Sequence, residues 1–141
     1  MKLSAYADVC LRVLMYAGAA KEKLTTQKIA DGIGVPYNHV AKAVLQLRNL
    51  GCLDVTRGRF GGTELTEQGR NYSVGHLLRE LNPREDIVDC VSNGSHCPLI
   101  ADCRLRVALR QAREAFYTEL DPITVADLIK PRTAGPALLP I

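Results

Sequence analysis

The sequence predicts a mainly α-helical fold, and three observations carry that reading. Apolar residues recur three and four positions apart through most of the chain. The spacing drops to two in one stretch, residues 53–65. Gly34, Pro36, Gly51, Pro83 and Pro122 punctuate the periodic segments where a helical backbone is disfavoured.

The first helix is expected from about Ser4 to Ala20, with Leu3, Tyr6, Ala7, Cys10, Val13, Leu14 and Ala17 along one stripe. Cys10 on this stripe reads as core. Asp8 lies off it, and Arg12 follows one turn later, where an i,i+4 ion pair forms. Thr25 and Thr26 are cap candidates for a short second helix ending near Ile33. Gly34 supplies a turn, and Pro36 opens a third helix at its first position. That helix runs to about Leu50, with Val40, Ala43, Val44 and Leu47 inward.

Leu53 and Val55 then alternate with Asp54 and Thr56, and residues 57–62, RGRFGG, read as a hairpin tip before a return strand through Glu64 and Leu65. Ser73 caps a helix from Val74 to Leu81 that Pro83 ends. Residues 84–103 have little periodicity and form a loop. A long helix follows from about Arg104 to Glu119, with Leu105, Leu109, Ala112, Phe116 and Leu120 as its stripe. Thr124 and Asp127 fit a capping box for a last short helix, and residues 131–141 read as a loose tail.

With 141 residues, 47% hydrophobic and 23% charged, the composition is that of one globular domain. No uncharged apolar run is long enough to cross a bilayer, so no membrane partner is expected. Asp8 and Arg12 interrupt the first apolar stretch, which argues against a signal peptide and for a cytoplasmic protein with reduced thiols. Residues 1–70 carry ten Lys and Arg against six Asp and Glu; residues 71–141 carry eight against nine. The basic first half suits a polyanion. No nucleophile–base pair or phosphate loop marks an enzyme.

Residues 27–47, QKIADGIGVPYNHVAKAVLQL, have the pattern of a helix-turn-helix. Ala30 is small enough for close helix packing, Gly34 sits at the turn, and Ile29, Ile33, Val35, Val40 and Ala43 fill the space between. Tyr37, Asn38, His39 and Lys42 are left polar at the start of the recognition helix, where side chains meet base edges and phosphates. Thr26 and Gln27 stand at the start of the preceding helix as further DNA contacts. The hairpin adds a wing, with Arg57 and Arg59 beside Gly61 and Gly62, suited to a sugar–phosphate backbone or a minor groove. The architecture is thus a winged helix-turn-helix with a small β-hairpin wing and a long C-terminal helix. Winged helices also serve protein–protein contacts, and His39 also reads as a solvated surface residue. The order of the pieces favours DNA.

Five cysteines are present, and three crowd together as Cys90-x6-Cys97-x5-Cys103. The paired C-x2-4-C knuckles of zinc ribbons are missing. Three separated thiols on a loop suit an iron–sulfur cluster, whose irons each take a soft thiolate. Cys10, Cys52, an oxygen ligand or a small molecule would complete it. Buried thiols, a zinc site with His96 or an acid, and a thiol redox switch are the alternatives. Arg104, Arg106, Arg110 and Arg113 follow the loop, and suit either an anionic group or a solvated basic face.

Particular segments carry a family resemblance: LSAYADVCLRVLMYAG, GVPYNHVAKAVLQLRNLG, the wing RGRFGG, LLREL, CPLIADCRLR and EAFYTELDPITVADLI. Over nearly its whole length the chain resembles the iron–sulfur winged-helix repressors, the family of IscR, RirA and NsrR, and within it the nitric-oxide-sensing NsrR branch. The resemblance implies a homodimer with the long helix as its dimerisation helix. It implies a cluster on Cys90, Cys97 and Cys103, with Asp8 of the partner subunit as fourth ligand; the spacing of Arg12 suits it to orient that carboxylate, and Glu85, near Cys90, is a further supporting residue and, with Asp86 and Asp89, the alternative oxygen ligand. Some members carry a histidine three residues after the third cysteine and hold a 2Fe-2S cluster; Arg106 stands there, so a 4Fe-4S cluster is implied. Many members have five residues between the first two cysteines, where this chain has six.

The implied function is a repressor that binds an inverted-repeat operator and releases it when nitric oxide attacks the cluster. The alternatives are an iron or cluster-status regulator of the same family, and a zinc-stabilised winged-helix module that binds protein. The chain divides into a DNA-binding region (1–82), a cysteine loop (83–103), the dimerisation helix with a short last helix (104–130), and the tail (131–141).

Overall fold

The computed structural model describes residues 3–83 and 97–131. Cys90, Glu85, His96 and the tail from residue 132 onward lie outside the described residues. The elements are α1 (Ala5–Ala19), α2 (Thr26–Ile33), α3 (Tyr37–Asn49), β1 (Leu53–Thr56), β2 (Gly62–Leu65), α4 (Glu67–Arg70), α5 (Val74–Leu81), a 3-10 turn (Ile100–Asp102), α6 (Arg104–Leu120) and α7 (Val125–Ile129).

Helix α1 is the spine of the core. Ser4 caps it by accepting the Ala7 amide, and Ala7, Val9, Cys10, Val13, Leu14 and Ala17 are buried. The expected stripe holds, except that Leu3 remains exposed. α2 and α3 pack across it with Ile29, Ala30, Val40, Ala43, Val44 and Leu47. Ile33 and Val35, expected inside, are only partly buried against this core. Gly34 closes α2 at φ 68°, ψ 37°, a left-handed conformation that glycine adopts without a Cβ clash. Pro36 is the cap residue of α3 rather than its first residue; its carbonyl accepts from His39 and Val40.

β1 and β2 pair antiparallel, Leu53 opposite Leu65 and Thr56 opposite Gly62. A further bridge forms between Leu24 and Thr63, so the segment before α2 anchors the wing to the helices. The sequence reading did not anticipate this bridge or the short α4. α5 has the expected limits, capped by Ser73, with Leu77, Leu78 and Leu81 buried. α7 has its capping box: the Thr124 hydroxyl accepts from the Asp127 amide, and the Asp127 carboxylate accepts from Thr124.

α6 departs from the expected apolar stripe in a useful way. Only Tyr117 is buried, near its C-terminal end. Phe116 and Leu120 pack partly on the core, whereas Leu105 is 64% and Val107 55% exposed. The C-terminal part of α6 is locked to α5 by Arg79, which donates to both Asp121 carboxylate oxygens at 2.6 and 3.1 Å and to Glu114 at 2.6 Å. These bonds hold the Asp121 carboxyl below the usual carboxylate range. The N-terminal part projects its apolar side chains into solvent.

Candidate DNA-binding surface and cysteine centre

The start of α3 presents Tyr37, Asn38, His39 and Lys42, all exposed. Their inward neighbours Val40, Ala43 and Val44 are buried, so the helix turns one face to the core and the other to solvent. Lys42 is positioned as well as exposed. Its ammonium sits 5.3 Å from the centre of the Tyr6 ring on α1. Tyr6, half-buried beside Cys10, has its phenol pushed up to about 12, first by burial, so it stays neutral at any physiological pH.

The cap of α2 is Thr25, leaving Thr26 as its first residue. The Gln27 amide donates to Asp31 at 2.8 Å and is engaged within the helix. In the wing, Arg57 and Arg59 are exposed, with no carboxylate partner among the described residues. Lys23, which the sequence reading passed over, braces the wing from below: it donates to Thr56 Oγ1 at 3.0 Å and pairs with Glu64 at 3.2 Å. Gly61 is required by the turn itself, since a Cβ there would lie 2.1 Å from the Thr56 carbonyl oxygen. Gly62 likewise faces Lys23 and Leu24. Both glycines serve the turn's own packing on that side.

The cysteine centre is partly described. Cys97 and Cys103 are both half-buried, with the 3-10 turn between them; the Ile100 amide donates to the Cys97 carbonyl at 3.2 Å. Cys103 is the cap residue of α6, and its sulfur accepts the Arg106 amide at 3.4 Å. A cleft of about 220 Å³ opens here, lined by Asp102, Cys103, Arg104, Arg106, Val107 and Arg110 among others. Three guanidinium groups and the positive end of a helix suit an anionic ligand with thiolate bonds. Arg106 Nε is buried and without a hydrogen-bond partner among the described residues. An orphaned buried donor of this kind fits a site built for an additional acceptor.

Asp8 stands on α1, half-exposed, its carboxylate held at 2.9 Å by Arg12 Nε, the pair that the spacing anticipates. Among the described residues, no three His, Cys, Asp or Glu side chains gather into a metal site within one chain. Asp8 is therefore not gathered with Cys97 and Cys103 in a single subunit. Cys10 and Cys52 are buried, and burial pushes both thiols up to about 11. They are neutral core groups, as the stripe predicts for Cys10. His76 is exposed on α5, 3.9 Å from Asp121.

A helix-turn-helix followed by a braced two-stranded wing, with cations on both, defines a winged-helix DNA-binding regulator. Residues 3–131 match the Rrf2 family, described as iron-dependent transcriptional regulators, and the chain belongs to that family. It is 48% identical to the HTH-type transcriptional repressor NsrR of Streptomyces coelicolor, over 99% of this chain and 95% of that protein. It is 37% identical to the HTH-type transcriptional regulator NsrR of Geobacillus kaustophilus, over 99% and 97%. These relatives are regulators of transcription, not enzymes. Among solved structures, oxidized Staphylococcus aureus CymR superposes with a TM-score of 0.71 at 20% identity, covering 95% of this chain and all of that one. T. potens IscR gives 0.67 at 20% identity, covering 92% and 86%. These two likenesses establish the shared fold. No helix among the described residues is long and apolar enough to cross a membrane.

Proposed function

We propose that this regulator is a homodimeric repressor that binds an inverted-repeat operator and senses nitric oxide through an iron–sulfur cluster. The observation that carries the reading is the Cys97–Cys103 turn at the start of α6, set in an arginine-lined cleft with the unpaired Arg106 Nε. Cys97 and Cys103, with Cys90, would supply three thiolates, and Asp8 of the partner subunit the fourth ligand. Arg106 at the position where some relatives have a histidine favours 4Fe-4S over 2Fe-2S. When bound, the cluster supplies iron that nitric oxide attacks.

The chain's own residues would convert that event into DNA release. As fourth ligand, Asp8 would offer a hard carboxylate, more labile toward iron than a thiolate. Arg12, at 2.9 Å from the Asp8 carboxylate, would orient it toward the group it would hold. α1 packs directly on α3, and Tyr6, two residues before Asp8, carries Lys42 of the recognition helix against its ring. A shift of α1 therefore reaches the DNA-contacting face. The exposed Leu105 and Val107 at the start of α6 supply an apolar surface for the second subunit.

Anaerobic purification followed by nitric oxide titration tests this. The expected protein is brown, dimeric and bound to DNA, and loses affinity as the absorption changes. A colourless, zinc-containing protein would instead support the zinc-stabilised module. A brown protein whose DNA binding follows iron supply and ignores nitric oxide would support the iron-status regulator.

A further inference from the structure

The most exposed large apolar side chain among those described is Phe60, at 89%, at the apex of the wing. At this exposure the ring offers a large apolar face, beside two cations, to whatever the wing meets. The tip is built to hold it there. Residues 57–61 close in a short turn, with the Gly61 amide donating to the Gly58 carbonyl at 3.0 Å. Gly58 sits at φ 104°, and a Cβ on Gly61 would meet the Thr56 carbonyl. Thr56 is in turn braced by Lys23. The Arg59 guanidinium lies 5.8 Å from the ring centre.

We propose that Phe60 is an apolar wedge that enters the DNA minor groove and partly unstacks a base step there. The proposal rests on the DNA-binding reading above. Charge complementarity identifies the occupant. The ring is flanked by Arg57 and Arg59, exposed and with no acidic partner among the described residues, whereas a protein-binding aromatic patch would extend over further apolar neighbours. Arginine favours a narrow, strongly negative minor groove, and an apolar ring beside it gains by inserting between bases. The wing thereby reads deformability: pyrimidine–purine steps, which unstack most easily, are preferred beneath it.

The test uses the full-length anaerobic protein and duplexes that it enriches from a random library, with 2-aminopurine placed at each position outside the recognition-helix contacts. Wild type should raise the fluorescence at one step per half-site and enrich pyrimidine–purine steps there. Phe60→Ala should bind roughly tenfold more weakly, lose the fluorescence change and lose that sequence preference. Its salt dependence should stay unchanged, because no phosphate contact is removed. Arg59→Ala should lower the salt slope by about one instead. A Phe60→Ala variant that binds the selected duplexes as wild type does, with the same fluorescence, would overturn the wedge and leave DNA binding intact. Failure of wild type to enrich any duplex would overturn the DNA-binding reading and the wedge with it.

Discussion

At the scale of residues, the described thiols fall into two environments. Cys10 and Cys52 are fully enclosed and neutral, while Cys97 and Cys103 are half-buried and Cys103 lines a cleft with Arg104, Arg106 and Arg110. Cys97→Ala or Cys103→Ala should abolish cluster absorption in anaerobic protein. Cys10→Ala and Cys52→Ala should keep the spectrum and lower the melting temperature, because each leaves a small void in the core. A wild-type spectrum in Cys97→Ala contradicts the ligand assignment. Asp8→Cys, with a thiolate in place of a carboxylate, should slow the first reaction with nitric oxide in stopped-flow absorption; an unchanged rate would place the oxygen ligand elsewhere. The crowding of Cys90, Cys97 and Cys103 is visible in the sequence, and so is the Asp8–Arg12 pair, which forms at 2.9 Å as the i,i+4 spacing predicts. The roles of Arg106 Nε and Lys23 were not legible. A single guanidinium nitrogen buried without a hydrogen-bond partner and a lysine reaching across to a hairpin are facts of tertiary geometry, with no periodicity to announce them.

At the scale of elements, local chemistry was highly legible. Thr25, Ser73 and Thr124, cap candidates in the sequence, each accept a backbone amide at a helix start, where the unpaired N–H groups demand an oxygen; Ser4, expected as the first residue of α1, is its cap instead. Thr124→Ala should cost about 1 kcal/mol in thermal or denaturant unfolding by removing one of these caps. Asp127 adds a pH dependence. Its carboxyl is lowered from 3.8 to about 2, first by Lys130 and then by the Thr124 backbone and hydroxyl. Since the folded value lies below the unfolded one, this stabilisation is present above about pH 4 and is lost as pH falls toward 2. Lys130→Ala should therefore flatten the fall in melting temperature between pH 4 and pH 2, as checked by melts across that range. The elements that were missed are short. α4 has four residues and the Leu24–Thr63 bridge a single pair, below the length at which a hydrophobic period can be seen.

At the scale of the whole molecule, the exposed N-terminal part of α6 is the surface that the proposed dimer would cover. Its sequence suggests one apolar stripe, yet the core covers only its C-terminal end. Leu105→Glu with Val107→Glu should give a monomer by sedimentation, with DNA affinity reduced at least tenfold, since two half-sites are no longer held together. A double variant that stays dimeric would place the interface elsewhere. The central claim is that one protein carries both the nitric oxide receptor and the operator-binding surface, coupled through α1. It is tested most directly by titrating nitric oxide into the anaerobic protein bound to a fluorescent selected duplex, with absorption and anisotropy followed in the same cuvette. The brown absorption and the anisotropy should fall together, and Asp8→Ala should begin at lower anisotropy before any nitric oxide is added. Anisotropy that stays constant while the absorption is lost would contradict it.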